Sequence, residues 1–281
     1  MAAQRLGSMA IVLLLAACGG GGGSGGGSGS GVQSAASPQG GLVLPNGGDS
    51  STVIAQSGTL GGLRVVQQSG SGTSSVSVGG TPQTWQSSVA AIGGLGVYQT
   101  TDGTRAVVTS GNGSGSAAAI SSLSYTSFGV WLEASASGAL TSTSDQITGA
   151  GGFVIGDPTA PSDMPRAGSA SYEGQAVAVE LRDGAVPRSL SGTFAATVDF
   201  VTSTVDAGAD LQDAVDGSSF GRVTMDGLRI SGNSFSGRAS AGSRSGTVSG
   251  GFAGPDATEI GGSFELTGPS TVHGAFAGSA R

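Results

Sequence analysis

Residues 250–278 read GGFAGPDATEIGGSFELTGPSTVHGAFAG, and three triplets within them decide the fold: Gly250-Gly251-Phe252, Gly262-Ser263-Phe264 and Gly274-Ala275-Phe276. In each, glycine stands two residues before phenylalanine, and the phenylalanines are 12 apart, one strand plus one turn. A period of two puts glycine and ring on the same face of a strand. Glycine there lets the strand bend sharply, and a ring covers the gap. Repeated bends of this kind close a sheet into a barrel. Gly192-Thr193-Phe194 is a fourth copy outside that register. The competing reading is chance recurrence in a chain with 55 glycines among 281 residues.

The surrounding residues alternate in the same way. Phe194, Ala196, Val198 and Phe200 share a face, opposite Thr193, Ala195, Thr197 and Asp199. Ile260, Gly262, Phe264 and Leu266 share another, opposite Glu259, Gly261, Ser263 and Glu265. Val272, Gly274 and Phe276 alternate with His273, Ala275 and Ala277. Val177, Val179 and Leu181 are read as an apolar face, with Ala176, Ala178, Glu180 and Arg182 on the other. One apolar face and one polar or small face predict antiparallel strands with one wet side. Roughly eight short strands fit this region, the number of a small barrel filled by its own side chains.

Charge density divides the chain. Residues 161–281 hold 21 charges, 13 acids and 8 arginines; residues 51–160 hold only Arg64, Asp102, Arg105, Glu133, Asp145 and Asp157. Pro158, Pro161 and Pro165 disfavour helix at the change, so a domain boundary is placed there. In residues 51–160, the stretches 95–98 and 105–109 flank Asp102-Gly103 as a hairpin. Residues 125–133 read as an aromatic-rich strand, and 83–92 is the best helix candidate in a region with little helical periodicity.

The amino-terminal end reads as an address. Arg5 is the only charge in the first 48 residues, and residues 9–15 form an apolar run too short to span a bilayer. Leu15-Ala16-Ala17-Cys18 resembles a bacterial lipobox, a motif in which the cysteine is diacylated on sulfur and the signal, here residues 1–17, is removed. The alternative is an ordinary signal peptide with a chance cysteine. Residues 19–31 are all glycine or serine, a flexible coil, and with the polar run that follows they make residues 18–50 a lipidated tether. Gly19 after Cys18 implies outer-membrane sorting by the same resemblance.

Composition excludes whole classes of chemistry. All 11 basic residues are arginine, so there is no P-loop or Schiff-base lysine. One cysteine and one histidine cannot build a zinc site of Cys and His ligands. A net charge of −7 argues against nucleic acid as a partner. No catalytic residue, metal site or cofactor is expected, and the chain is read as not an enzyme. Gly217-Ser218-Ser219-Phe220-Gly221 matches a nucleophile elbow in letters only, because the motif needs a strand-to-helix turn. His273 falls on the exterior phase of its strand and is read as a surface residue, with heme or metal ligation as the alternative. Asp206, Asp210, Asp213 and Asp216 lack the alternate spacing of a calcium loop and read as a solvated loop. Trp85, Trp131, Tyr98 and Phe128 would either build a recognition surface or pack a sheet.

Taken together, these residues carry a family resemblance. Gly250 to Phe264, with Val272-His273-Gly274-Ala275-Phe276-Ala277-Gly278, resembles the closing barrel strands of transferrin-binding protein B and related surface lipoproteins. Pro165 to Gly174 resembles the opening barrel strand, and Tyr125 to Trp131 a strand of the domain called the handle. The resemblance covers residues 120–281 or so, in the right order. It implies an all-β chain, with a small antiparallel eight-stranded barrel over 161–281 preceded by a β-rich handle over 51–160. Further implications are a lipid anchor in the outer membrane, often with exposure to the exterior, and a host protein or a heme or iron carrier as ligand. No ligand-contacting residue of the family has a match here, so the ligand-binding residues are unassigned. The rival reading is a structural or adhesive envelope lipoprotein with no specific solute.

Overall fold

The structure, a computed structural model, describes residues 42–44, 52–57, 63–67, 74–78, 85–92, 95–100, 104–109, 123–136 and 143–281. The lipobox residues Leu15, Ala16, Ala17 and Cys18, the Gly/Ser run and the Asp102-Gly103 turn lie outside them. The described residues are all β apart from single 3-10 turns at Ser144–Gln146 and Pro255–Ala257.

The first nine strands among the described residues are β1 (Leu42–Leu44), β2 (Thr52–Gln56), β3 (Leu63–Gln67), β4 (Ser74–Val78), β5 (Trp85–Ile92), β6 (Leu95–Thr100), β7 (Arg105–Thr109), β8 (Thr126–Ala134) and β9 (Ile147–Gly156). They form a three-stranded sheet in the order β1-β4-β3 and a six-stranded sheet in the order β2-β9-β8-β7-β6-β5. The expected hairpin strands are β6 and β7, paired antiparallel, and the aromatic-rich strand is β8. Two expectations need correction. Within the helix candidate at 83–92, the described residues Trp85–Ile92 form strand β5, because pairing with β6 satisfies their backbone and overrides a weak propensity. The short strand β1 lies inside the run read as tether and pairs with β4.

The remaining strands are β10 (Ser169–Leu181), β11 (Arg188–Asp199), β12 (Thr204–Asp213), β13 (Ser219–Ser231), β14 (Ser234–Ala241), β15 (Arg244–Ala253), β16 (Glu259–Thr267) and β17 (Thr271–Ala280). Each pairs antiparallel with the next, and β17 pairs back onto β10, closing an eight-stranded barrel. Its interior is filled by side chains. Phe194 and Phe276 stack with centroids 4.4 Å apart. Phe252 lies among Tyr172, Phe200 and Phe235 at 5.7 to 6.2 Å. Burial pushes the Tyr172 hydroxyl up to about 12, and it donates to the Ala257 carbonyl at 2.7 Å.

The Gly-x-Phe triplets work across strands. Phe264 pairs with Gly274, and Gly262 with Phe276, so each ring lies over the glycine of its neighbour. A methyl group at Gly274 would run into the Phe264 ring, one at Gly262 into Phe276 and one at Gly250 into Phe235. The ring therefore covers a gap in the adjacent strand rather than in its own.

One strand has the opposite phase to that read from its sequence. On β10, Ala176 and Ala178 point into the barrel, while Val177 and Val179 are buried on its outer wall. Small residues suffice inside because Phe276 stands directly across from Ala176. The outer wall is apolar here because β8, β9 and β2 of the larger sheet pack on it, joining Phe128, Val130, Val154 and Ala55 to Val177, Ala275 and Ala277.

Candidate binding surface

Contacts along the seam fix the six-stranded sheet to the barrel near both rims and at mid-wall. Near one rim, the Glu259 carboxylate accepts from the backbone N–H of Ser124 (2.5 Å), the N–H of Tyr125 (3.1 Å) and the Thr126 hydroxyl (2.7 Å). Gly254 N–H donates to the Asp157 carbonyl and Thr159 N–H to Phe252, each at 2.9 Å. Mid-wall, Gly152 of β9 lies against the Gly274 carbonyl of β17 so closely that a methyl group at Gly152 would overlap it. At the other rim, the Ser144 N–H donates to the Ala185 carbonyl at 2.7 Å, and Asp145 accepts from the Gly184 N–H at 3.0 Å.

Burial pushes the Glu259 carboxyl upward, and the hydrogen bonds from Ser124, Thr126 and Tyr125 only partly offset it. The fold therefore keeps a proton that the unfolded chain has released once pH passes the ordinary carboxylate range. Stability from this group falls as pH rises through that window and levels off above the raised value. Glu259→Gln, which does not ionise, should remove this part of the pH slope in denaturation measured between pH 4 and 7. Glu259→Ala should cost about 2 kcal/mol, because it leaves buried donors without an acceptor. A cost near zero would show that water replaces the carboxylate.

The second rim, where the loops after β10, β12, β14 and β16 gather, is braced by charge. Glu180 continues the interior face of Ala176 and Ala178, and its side chain is 3% exposed. It accepts from Arg244 (2.7 Å) and Ser270 (2.8 Å), with Arg188 at 3.5 Å. Arg188 also donates to Asp213 and to the Ser218 hydroxyl, both at 2.6 Å. Burial raises the Asp213 carboxyl, but the Arg188 hydrogen bond, the N–H groups of Val215 and Asp216 and the Arg188 charge outweigh it, and Asp213 sits below the usual range. A further bond from Ala214 N–H to the Ser189 carbonyl (2.9 Å) holds the start of the loop after β12 to strand β11. Val186 (49% exposed) and Val215 (54% exposed) stand on these two loops, amid Arg182, Asp183 and Asp216. The rim thus presents two exposed apolar tips within a polar surround, above the ion pairs of Glu180, Arg188, Arg244 and Asp213.

Other residues singled out from sequence fall elsewhere. His273 faces outward, as its phase predicts, but it is only 7% exposed because the larger sheet covers that wall. It is not a surface residue. Burial lowers its pKa, and the charge of Glu265 acts in the opposite direction. Asp206, Asp210, Asp213 and Asp216 do not form a loop cluster. Asp206, Asp210 and Asp213 belong to strand β12, and the acids take separate partners: Gly227 N–H, Arg222, Arg188 and Ser218 N–H. Among the described residues, no three of His, Cys, Asp and Glu converge as a metal cluster. Ser219 lies at the start of β13 after a β-turn, not on a strand-to-helix elbow. Trp131 and Phe128 are buried and pack the sheet; the side chains of Trp85 and Tyr98 lie outside the described residues. Glu180 and its arginines were missed from sequence; a charged residue in phase with interior alanines was the available signal.

A family profile for the C-lobe and N-lobe beta barrels of Tf-binding protein B matches residues 164–280. No curated protein matches the chain. Among solved structures, HpuA from Kingella denitrificans, in complex with human haemoglobin, is 19% identical with a TM-score of 0.52, covering 87% of this chain and 91% of its own. Transferrin-binding protein B of Neisseria meningitidis serogroup B is 21% identical with a TM-score of 0.45, over 82% of this chain and 44% of its own. A variant of the same protein from Haemophilus parasuis is 20% identical with a TM-score of 0.46, over 66% and 37%. This chain thus spans less than half of those transferrin-binding protein B chains. The HpuA likeness covers most of both chains as a similarity of fold. Residues 164–280 are thus similar to the barrels of transferrin-binding protein B, and the chain is transferrin-binding protein B-like over that region.

Proposed function

We propose that this chain is a non-enzymatic lipoprotein, anchored in the outer membrane through Cys18 and displayed to the exterior, that binds a host protein carrying iron or heme. The observation that carries this reading is the braced rim, where loop 144–146 of the sheet domain bonds to barrel loop 182–187, Arg188 at the start of β11 bonds to loop 214–218, and Val186 and Val215 stand exposed. The side-chain-filled interior supports a ligand taken on the outside, hence a macromolecule rather than a small molecule held within. Haemoglobin is the first candidate, since the HpuA structure matched across most of both chains was solved with it.

Surface plasmon resonance against purified haemoglobin, transferrin and lactoferrin tests the reading. One of them should bind, and Val186→Asp with Val215→Asp should weaken it about tenfold or more with little change in thermal stability. Binding by none favours the structural envelope role. The anchor is tested separately. With residues 1–17 as signal and Leu15-Ala16-Ala17 as lipobox, Cys18→Ala should abolish palmitate labelling and move the protein from the membrane to the soluble fraction. Retention of label would overturn the assignment.

A further inference from the structure

Each of the four hairpin loops at the second rim adjoins or contains a residue of one charged network. Arg188 follows loop 182–187 and opens β11, and Arg244 follows turn 242–243 and opens β15. Ser270 ends loop 268–270, which precedes β17. Asp213 closes β12 just before loop 214–218, whose last residue is Ser218. The network has one centre. Glu180 accepts from Arg244 Nη2 at 2.7 Å and from the Ser270 hydroxyl at 2.8 Å, and its other oxygen lies 3.5 Å from Arg188 Nη1. Arg188 carries the link onward to Asp213 and Ser218, both at 2.6 Å. Arg244 also donates to Ser270 Oγ at 2.7 Å and lies over the Phe220 ring of β13, 5.0 Å from its centroid.

Glu180 itself stands on the interior face of β10 with its side chain 3% exposed, out of reach of a ligand on the rim. We infer that Glu180 is the positioning residue of this rim: from inside the barrel mouth, its carboxylate fixes how the exposed loops stand relative to one another. The effect on binding rests on the host-protein reading given above; the effect on the loops rests on geometry alone.

Charge and connectivity support the assignment. Removing one partner from a buried ion pair leaves the other charge uncompensated. Here two guanidiniums, with side chains 20% and 19% exposed, face the same carboxylate. Without it they repel, and swinging toward water carries the loop ends with them. The loops differ in what else holds them. Loop 214–218 has its own turn bonds, from the N–H groups of Val215 and Asp216 to Asp213 and of Ser218 to Asp216. Loop 182–187 is held a second time, by Ser144 and Asp145 of the sheet domain. Turn 242–243 and loop 268–270 depend most directly on Glu180. Loss of its charge should therefore loosen these two most and loop 182–187 least. A ligand that needs the loops in one arrangement binds in proportion to the fraction of molecules that hold it.

The test is hydrogen exchange read by mass spectrometry on the full chain carrying Cys18→Ser, with and without the isosteric change Glu180→Gln. Amides of 242–243 and 268–270 should exchange about tenfold or more faster in the variant. Turns 200–203 and 232–233 of the opposite rim should be unchanged and serve as internal controls. Ser270→Ala cuts one link and leaves Glu180 with both arginines; it should loosen loop 268–270 alone, and it decides the question if Glu180→Gln does not fold. Toward whichever host protein binds the parent, Glu180→Gln should lower affinity about tenfold, whereas Val186→Asp should lower it with loop exchange unchanged. Rim loops exchanging equally in parent and variant would overturn the inference, as would full affinity in Glu180→Gln. If no host protein binds the parent, the host-protein reading fails and exchange alone decides the role of Glu180.

Discussion

Replacing Phe276 with alanine should lower the free energy of unfolding by about 3–5 kcal/mol, the range for deleting a fully buried aromatic ring. Phe276 is fully buried, stacks on Phe194 at 4.4 Å and covers Gly262 on the neighbouring strand. Its loss opens a cavity that closed barrel strands cannot collapse to fill. The Gly262 contact gives a sharper test. Gly262→Ala alone drives a methyl group into the Phe276 ring and the Ser249 carbonyl. In the Phe276→Ala background the ring clash disappears, so the two losses should sum to more than the double variant shows. Urea denaturation of the four proteins measures this. Strict additivity would mean that ring and glycine do not act as a unit.

Gly152→Ala should be of similar size, on the order of 3–5 kcal/mol, and its cause is different. Overpacking in a core usually costs about 1–3 kcal/mol because side chains can yield. Here the added methyl group meets the Gly274 backbone carbonyl, which is held in the barrel ladder on both sides. The sheet has to lift from the wall, exposing Val177, Ala275 and Ala277. Limited proteolysis should then cut between residues 157 and 168 in the variant while leaving the barrel intact. A variant as protease-resistant as the parent would show that the two parts shift without separating.

The barrel was legible in the sequence because its interior alternates strictly. Phe194 to Phe200, Ile260 to Leu266 and Val272 to Phe276 all face inward as read. The error at β10 has one physical source. Alternation identifies a core only when the other face is wet, and the outer wall at Val177, Val179, Ala275 and Ala277 is covered by a second layer. The same cover makes His273 buried rather than exposed. The rim was not legible because its parts are distant in sequence. Asp145 meets Gly184, and Glu180 meets Arg244, only after the barrel has closed. Strand β5 is not legible from sequence because its mixed run of Trp, Gln, Ser, Val, Ala and Ile has no strict alternation of its own and takes its form from β6.

Closure of the barrel by its first and last strands has a consequence for how the chain is made. The pairing of Tyr172 with Ala280 and of Leu181 with Thr271 spans nearly the whole domain, and such contacts have high contact order and form slowly. Until β17 has been synthesised, β10 is an unpaired strand edge open to aggregation. The wall that receives the sheet domain, with Gly274, Ala275 and Ala277, is also missing until then. The last strand is thus the keystone of both parts, and the earlier segments have to be kept apart from other chains until it arrives.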